Sequence, residues 1–175
     1  MGAYMSKTEP IYKRFKAAGC IFTDNKHVLA GYHPNKTVAY ISGFGGKREG
    51  SELFGDTAIR ETIEELFEIK DISRDLLQDV VRSITPKNVL VNGDYINIVF
   101  TFGDLIDLMC IVRDHVSDVD IYPNGFPRTL QELIFTREAK DNSEISHLCI
   151  LPISKNIRVD SLFIKDINIL VAAPK

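Results

Sequence analysis

Cysteine is scarce: the 175 residues hold three, Cys20, Cys110 and Cys149. An odd number without C-x-x-C spacing excludes a disulfide framework and a cysteine-based zinc site. Two of the three sit in apolar runs, as core residues do. Long apolar stretches are also missing. No window approaches a membrane span and no apolar signal region opens the chain, so a cytoplasmic setting without a membrane partner is expected. Neither sign of charge dominates. The net charge is −3, which gives no global pull towards nucleic acid. Repeats and low-complexity tracts are absent as well. What remains is an ordinary globular composition, 45% apolar with a mean hydropathy of −0.03. At this length a single domain over 1–175 with a substantial core is expected.

The stretch from Gly46 to Ile69 stands out. Its second half, Arg60-Glu61-Thr62-Ile63-Glu64-Glu65-Leu66-Phe67-Glu68-Ile69, has helical periodicity. Ile59, Thr62, Ile63, Leu66 and Phe67 share one face. Glu61, Glu64, Glu65 and Glu68 are expected on the opposite, water-facing side, at offsets that bring like charges together. Glu68 also lies near the negative end of the helix dipole. A divalent cation with oxygen ligands would relieve both penalties.

These residues resemble the Nudix box. Gly46 is followed after five residues by Glu52, and after seven more by Arg60-Glu61, with Glu64-Glu65 beyond. Gly43-Phe44-Gly45-Gly46-Lys47 is similar to the glycine-rich approach of that family, with Phe44 in place of the usual Pro. Phe67 stands where the family has Gly, and Glu68 where it has an apolar residue. Phe adopts the left-handed conformation poorly, so the helix is expected to run on towards Lys70 and stop near Asp71–Ser73. The resemblance implies an α+β Nudix fold, a mixed β-sheet sandwiched between helices. It further implies that Glu61, Glu64 and Glu65 hold Mg²⁺ or Mn²⁺ with the Gly46 carbonyl nearby, and that Arg60 pairs with Glu52. A further acid from a late loop is implied as ligand or general base. Glu144 is the favoured candidate, and Glu138 and Asp141 are its rivals.

Along the chain, strands are expected at Phe15–Thr23, Val28–Tyr32, Val38–Ser42, Asp79–Thr85, Asp94–Phe102 and Ile145–Leu151. Asn92-Gly93 is a strong turn signal. Helices are expected at Gly103–His115, Leu130–Arg137 and Ser161–Val171. The segment 103–142 reads as a helical insertion, of the kind that defines substrate beside a site.

The chemistry implied is metal-dependent hydrolysis of a pyrophosphate linkage in a nucleotide-containing substrate. Lys47 and Arg48 are candidates for phosphate contact, and Phe44, Tyr32 and Tyr122 for stacking on a base. His147 could serve as a base, although a lone strand histidine more often packs or sits at the surface. Lys13, Arg14 and Lys16 form a basic cluster that could follow an RNA backbone. Messenger RNA cap removal, with release of m7GDP, is placed narrowly first, on local similarity to decapping Nudix proteins and to those of large DNA viruses. The cytoplasm would then be that of a cell or of an infected host cell. Small-molecule hydrolysis is the alternative, with ADP-ribose, dinucleoside polyphosphates, damaged nucleotides or diphosphoinositol phosphates as substrates. A catalytically silent binding module is remote, because every glutamate of the box is present.

Overall fold

A computed structural model describes residues 14–34, 40–116, 118–153 and 159–172. Among the described residues, seven strands and five helices alternate in an α+β order: β1 (Ala17–Phe22), β2 (His27–His33), β3 (Tyr40–Ser42), β4 (Phe44–Lys47), α1 (Phe54–Phe67), α2 (Arg74–Ser83), β5 (Asn88–Asn92), β6 (Tyr95–Phe100), α3 (Phe102–His115), α4 (Leu130–Phe135), β7 (His147–Pro152) and α5 (Ser161–Ala172). The strands form two sheets. One is mixed, in the order β4-β1-β6-β5, and the other is antiparallel, β3-β2-β7. The central pair β1 and β6 runs parallel, with Cys20 opposite Ile98, and the flanking pairs are antiparallel.

Alternation along the strands assigns the two faces. Ala18, Cys20 and Phe22 of β1 and Ile96, Ile98 and Phe100 of β6 meet Ile59, Ile63 and Leu66 of α1, Leu76 and Val80 of α2, and Leu105, Leu108 and Met109 of α3. Ile21, Leu90 and Val99 point the other way and pack with Phe163 and Ile167 of α5. Helices therefore cover both faces of the mixed sheet. All three cysteines are free, and burial pushes the Cys20 thiol up to about 12.

One expectation is corrected. The segment 79–85 is not a strand, since α2 occupies Arg74–Ser83 with the Ser73 hydroxyl accepting from the Leu76 N–H at 3.2 Å. Val80, Val81 and Ile84 suggested a strand, but Leu76, Val80 and Ile84 recur at fourfold spacing and are buried together. The strand that pairs with β6 is Asn88–Asn92, in register Asn92 to Tyr95 across a turn at Gly93 (φ 66°). The helix α3, at the start of the segment expected as an insertion, contributes Leu105, Leu108, Met109 and Val112 to the main core. Val38, expected in β3, lies outside the described residues.

A buried polar pair sits on the α5 side of the sheet. The Asn97 Nδ2 donates to Asp166 Oδ2 at 2.6 Å, and Asp166 is 3% exposed. Its Oδ1 has no partner among the described residues. Burial, only partly offset by Asn97, raises the Asp166 carboxyl to about 6. Its pKa is higher folded than unfolded, so the neutral form is favoured by folding. The associated stability is present below pH ~4 and is lost as pH rises towards 6, by roughly 3 kcal/mol. Asp166→Asn should therefore flatten the stability profile between pH 4 and 7 and stabilise the protein at pH 7. Urea unfolding across that range checks this, and parallel profiles for the two proteins would count against it.

Candidate active site

The glycine-rich approach forms β4, which pairs with β1 through Gly45 to Gly19 and Gly46 to Ala18. Gly45 takes φ 148°, and a Cβ there would strike the Tyr95 hydroxyl and the Gly19 backbone. Its N–H donates to Glu65 Oε2 at 2.8 Å. A Cβ at Gly46 would fall on the Glu61 carboxylate. Gly46 is thus demanded by the Glu61 carboxylate pressed against the strand, and Gly45 by Tyr95 and the neighbouring strand β1. Glu65 is 7% exposed, which corrects the expectation that it faces water: its carboxylate turns in towards β4.

Arg60 organises the remaining acids, with a side chain only 9% exposed. Its Nε donates to Glu52 Oε1 at 2.7 Å and its Nη2 to Glu52 Oε2 at 3.1 Å, a bidentate pair. Nη2 also reaches the Lys47 carbonyl at 2.9 Å. Nη1 reaches Glu61 at 2.9 Å and Glu64 at 3.3 Å. Glu52 receives the Thr57 hydroxyl at 2.8 Å and the Glu49 N–H at 3.0 Å as well. Burial works against the Glu52 charge, but Arg60 and these donors outweigh it and its pKa falls. Glu61 and Glu64 differ. Burial raises both beyond what Arg60 can offset, and neighbouring carboxylates, Glu144 among them for Glu61, add to the rise. A single guanidinium leaves that acidic pair short of positive charge.

The end of α1 departs from expectation. The helix stops at Phe67, and Glu68 takes the left-handed conformation (φ 54°, ψ 30°) with its N–H on the Glu64 carbonyl at 2.8 Å. Phe67 remains helical because its ring is wholly buried, stacked on Phe126 at 4.9 Å. A residue far along the chain closes this terminus. Arg137, whose side chain is 1% exposed, donates through Nη1 to the Leu66 carbonyl and through Nη2 to the Glu65 carbonyl at 3.0 Å. Nη2 also reaches the Ile145 carbonyl at 3.0 Å. A cation at a helix C-terminus complements the dipole, and this one joins the acidic helix to the loop that bears Glu144. Its one signal in the sequence was a basic residue at the end of the short helix expected over Leu130–Arg137.

Glu61, Glu64, Glu65 and Glu144 all line a cavity of about 780 Å³, bounded by the end of α1, by Val116 and 118–120, and by Lys140 and 142–145. Glu138 and Asp141 are not among its lining residues. Ligand atoms of His33, Glu65 and Glu144 lie within 4.8 Å of one another, a donor set that fits a divalent cation. His33 was not anticipated, since it follows the last residue of the expected strand. The other candidates fall elsewhere. Phe44 is a core residue against Phe22, and Tyr122 is buried with its hydroxyl on the Leu133 carbonyl at 2.8 Å, so neither ring is placed to stack on a base. Tyr32 is partly exposed. His147 is exposed and bonded to Ser146. Lys47 is exposed, whereas Arg48 covers the Phe15 ring and donates to the Glu52 carbonyl at 3.0 Å. Lys13 lies outside the described residues, Arg14 is exposed, and Lys16 pairs with Asp94 at 2.9 Å. No described helix is long and apolar enough to cross a membrane.

No protein-family model matches the chain, and a comparison with curated proteins finds no match. Among solved structures, the chain is similar to a bifunctional NMN adenylyltransferase/ADP ribose pyrophosphatase from Francisella tularensis, complexed with AMP and a Mn ion. The sequence identity is 15% and the TM-score 0.48, and the match covers 93% of this chain and 42% of that one. This chain thus spans less than half the length of its counterpart.

Two substitutions test the geometry. Gly46→Ala should displace the Glu61 carboxylate and cut turnover about tenfold or more with only a small loss of melting temperature. Unchanged turnover in that variant would show that the Gly46 to Glu61 approach has no bearing on activity. Arg137→Ala removes a buried cation from three carbonyls and should cost about 3 kcal/mol or more in urea unfolding, with Arg137→Lys recovering part of it. A loss below 1 kcal/mol would reduce Arg137 to a surface-like contact.

Proposed function

We propose that the protein is a metal-dependent Nudix-type pyrophosphohydrolase acting on a nucleoside-diphosphate-linked substrate. One observation carries this: four carboxylates, Glu61, Glu64, Glu65 and Glu144, line a single cavity, with Glu61 and Glu64 on a buried guanidinium and Glu65 on the Gly45 N–H. Divalent cations held by Glu61, Glu64 and Glu65 would supply Lewis-acid polarisation of the phosphoryl oxygens and a more acidic water. The chain's own contribution is positioning. Arg60 and Glu52 fix the face of α1, Gly46 leaves room for Glu61, and Gly45 orients Glu65. Glu144, lining the same cavity, would be a further ligand or would accept a proton from the attacking water. Lys47, exposed beside β4, is available to a substrate phosphate.

Small nucleotides are favoured over capped RNA as substrate. A cavity of about 780 Å³ lies within the usual range for small-molecule sites. Its lining carries eight acidic residues against Lys70 and Lys140, and Lys140 is engaged by Asp120 at 2.7 Å. Such walls accept a short diphosphate neutralised by cations more readily than an RNA backbone. Of the basic cluster expected to follow RNA, Lys16 is neutralised by Asp94.

A substrate panel tests both levels of the reading. ADP-ribose, a dinucleoside polyphosphate, capped RNA and free cap analogue are each incubated with Mn²⁺, Mg²⁺ or chelator. Metal-dependent cleavage of ADP-ribose or the dinucleoside polyphosphate is expected, with Glu64→Gln and Glu65→Gln folded but about a hundredfold slower. Faster release of m7GDP from capped RNA, falling steeply with salt, would replace the small-molecule reading by the cap reading. Full metal-dependent activity in both folded Glu→Gln variants would remove the site assignment.

A further inference from the structure

We propose that His33 is a nitrogen ligand of the divalent-cation site, joining Glu65 and Glu144 in a mixed nitrogen and oxygen donor set that favours a transition-metal dication over Mg²⁺. The inference rests on the metal-dependent reading above and specifies its chemistry. Three separate elements supply the donors. His33 ends β2 and Glu65 projects from α1, while Glu144 precedes β7. Their ligand atoms lie within 4.8 Å of one another. Ligands on opposite sides of an ion sit roughly 4–4.5 Å apart when each bond is about 2.0–2.2 Å. Only one of the three pairs can lie opposite and the others must close to about 3 Å, so side-chain shifts of about an ångström bring all three onto one ion.

The surroundings hold each donor in place. The His33 ring is 3% exposed and stacks on Tyr40 at 4.9 Å with the planes 18° apart, opposite it in the β2 to β3 register. Its neighbour Tyr32 accepts from the Ser146 N–H at 3.0 Å, and Arg137 grips the Ile145 carbonyl. The loop carrying Glu144 is thus fixed to the strand end carrying His33. The Gly45 N–H fixes Glu65. An imidazole held within 4.8 Å of two carboxylate oxygens and restrained in its plane is oriented to share a cation with those acids. Imidazole suits transition metals better than Mg²⁺, which keeps oxygen ligands and its waters.

The test uses Mn²⁺ and the whole chain. Mn²⁺ is titrated by electron paramagnetic resonance, and the bound ion is examined by electron spin-echo envelope modulation for coupling to nitrogen. Wild type should show imidazole ¹⁴N modulation that changes when histidine is ¹⁵N-labelled. His33→Asn should abolish it and weaken Mn²⁺ about tenfold, with a smaller change for Mg²⁺ measured by competition. His147→Asn, the other histidine near the late loop, should keep the signal. Bound Mn²⁺ without nitrogen modulation in wild type overturns the inference and leaves the carboxylate site standing, with His33 hydrogen-bonded to an acid instead. Because wild type alone gives that answer, an unstable variant does not blunt the test. If Mn²⁺ does not bind and no pyrophosphate linkage is cleaved with any metal, the functional reading fails and the inference fails with it.

Discussion

The architecture of the site depends on one buried guanidinium. Arg60 binds both oxygens of Glu52, touches Glu61 and Glu64, and reaches the Lys47 carbonyl. These contacts join the loop before α1, the end of β4 and the acidic face of the helix. A charge with so little exposure persists only if it is fully paired, and here the pairing is also what holds the carboxylates in place. Burial alone would push Glu52 towards its neutral form, and Arg60 reverses that. Glu61 and Glu64, which share the remaining nitrogen, are left with raised pKa values. The same side chain therefore builds the helix face and leaves part of its negative charge uncompensated, the condition under which a cation is held tightly.

The strands and the acidic helix were legible because their signals are local. Alternation in β1 and β6 and the fourfold spacing of Ile59, Ile63 and Phe67 are set by near neighbours. So was the pairing of Arg60 with Glu52, carried by the spacing of a known motif. What was not legible depended on partners far away in sequence. Val80 and Val81 favour a strand by propensity, but the surface offered by α1 and α3 accepts a helix. Phe67 was expected to prolong α1 because it disfavours the left-handed conformation. Its partner Phe126 instead holds it as the last helical residue, and Glu68 absorbs the turn. Glu65 looked like one exposed acid among four until β4 was laid against it. His33 and Arg137 carried no motif at all.

Aromatic residues illustrate how weak composition is as a guide to recognition. Phe44 replaces a proline in the resembling motif and invited a role in base stacking, yet its ring completes the core beside Phe22. Tyr122 is likewise committed to the packing around Phe67 and Phe126. The rings that do approach the site act on protein groups. Tyr40 sets the plane of His33, and the Tyr95 hydroxyl occupies the space that keeps positions 19 and 45 as glycine.

The grip of Arg137 on the end of α1 sets an order of events during synthesis. The acidic helix leaves the ribosome about 70 residues before the guanidinium that closes it and the loop that carries Glu144. At cellular translation speeds that interval is on the order of ten seconds. During it, α1 can pair Arg60 with Glu52 and bury its apolar face on β1, but its last carbonyls stay open and the far wall of the cavity does not exist. The nascent chain thus carries a partial acidic face before the cavity exists, and the four carboxylates first share one space when the segment carrying Arg137 and Glu144 has folded onto α1.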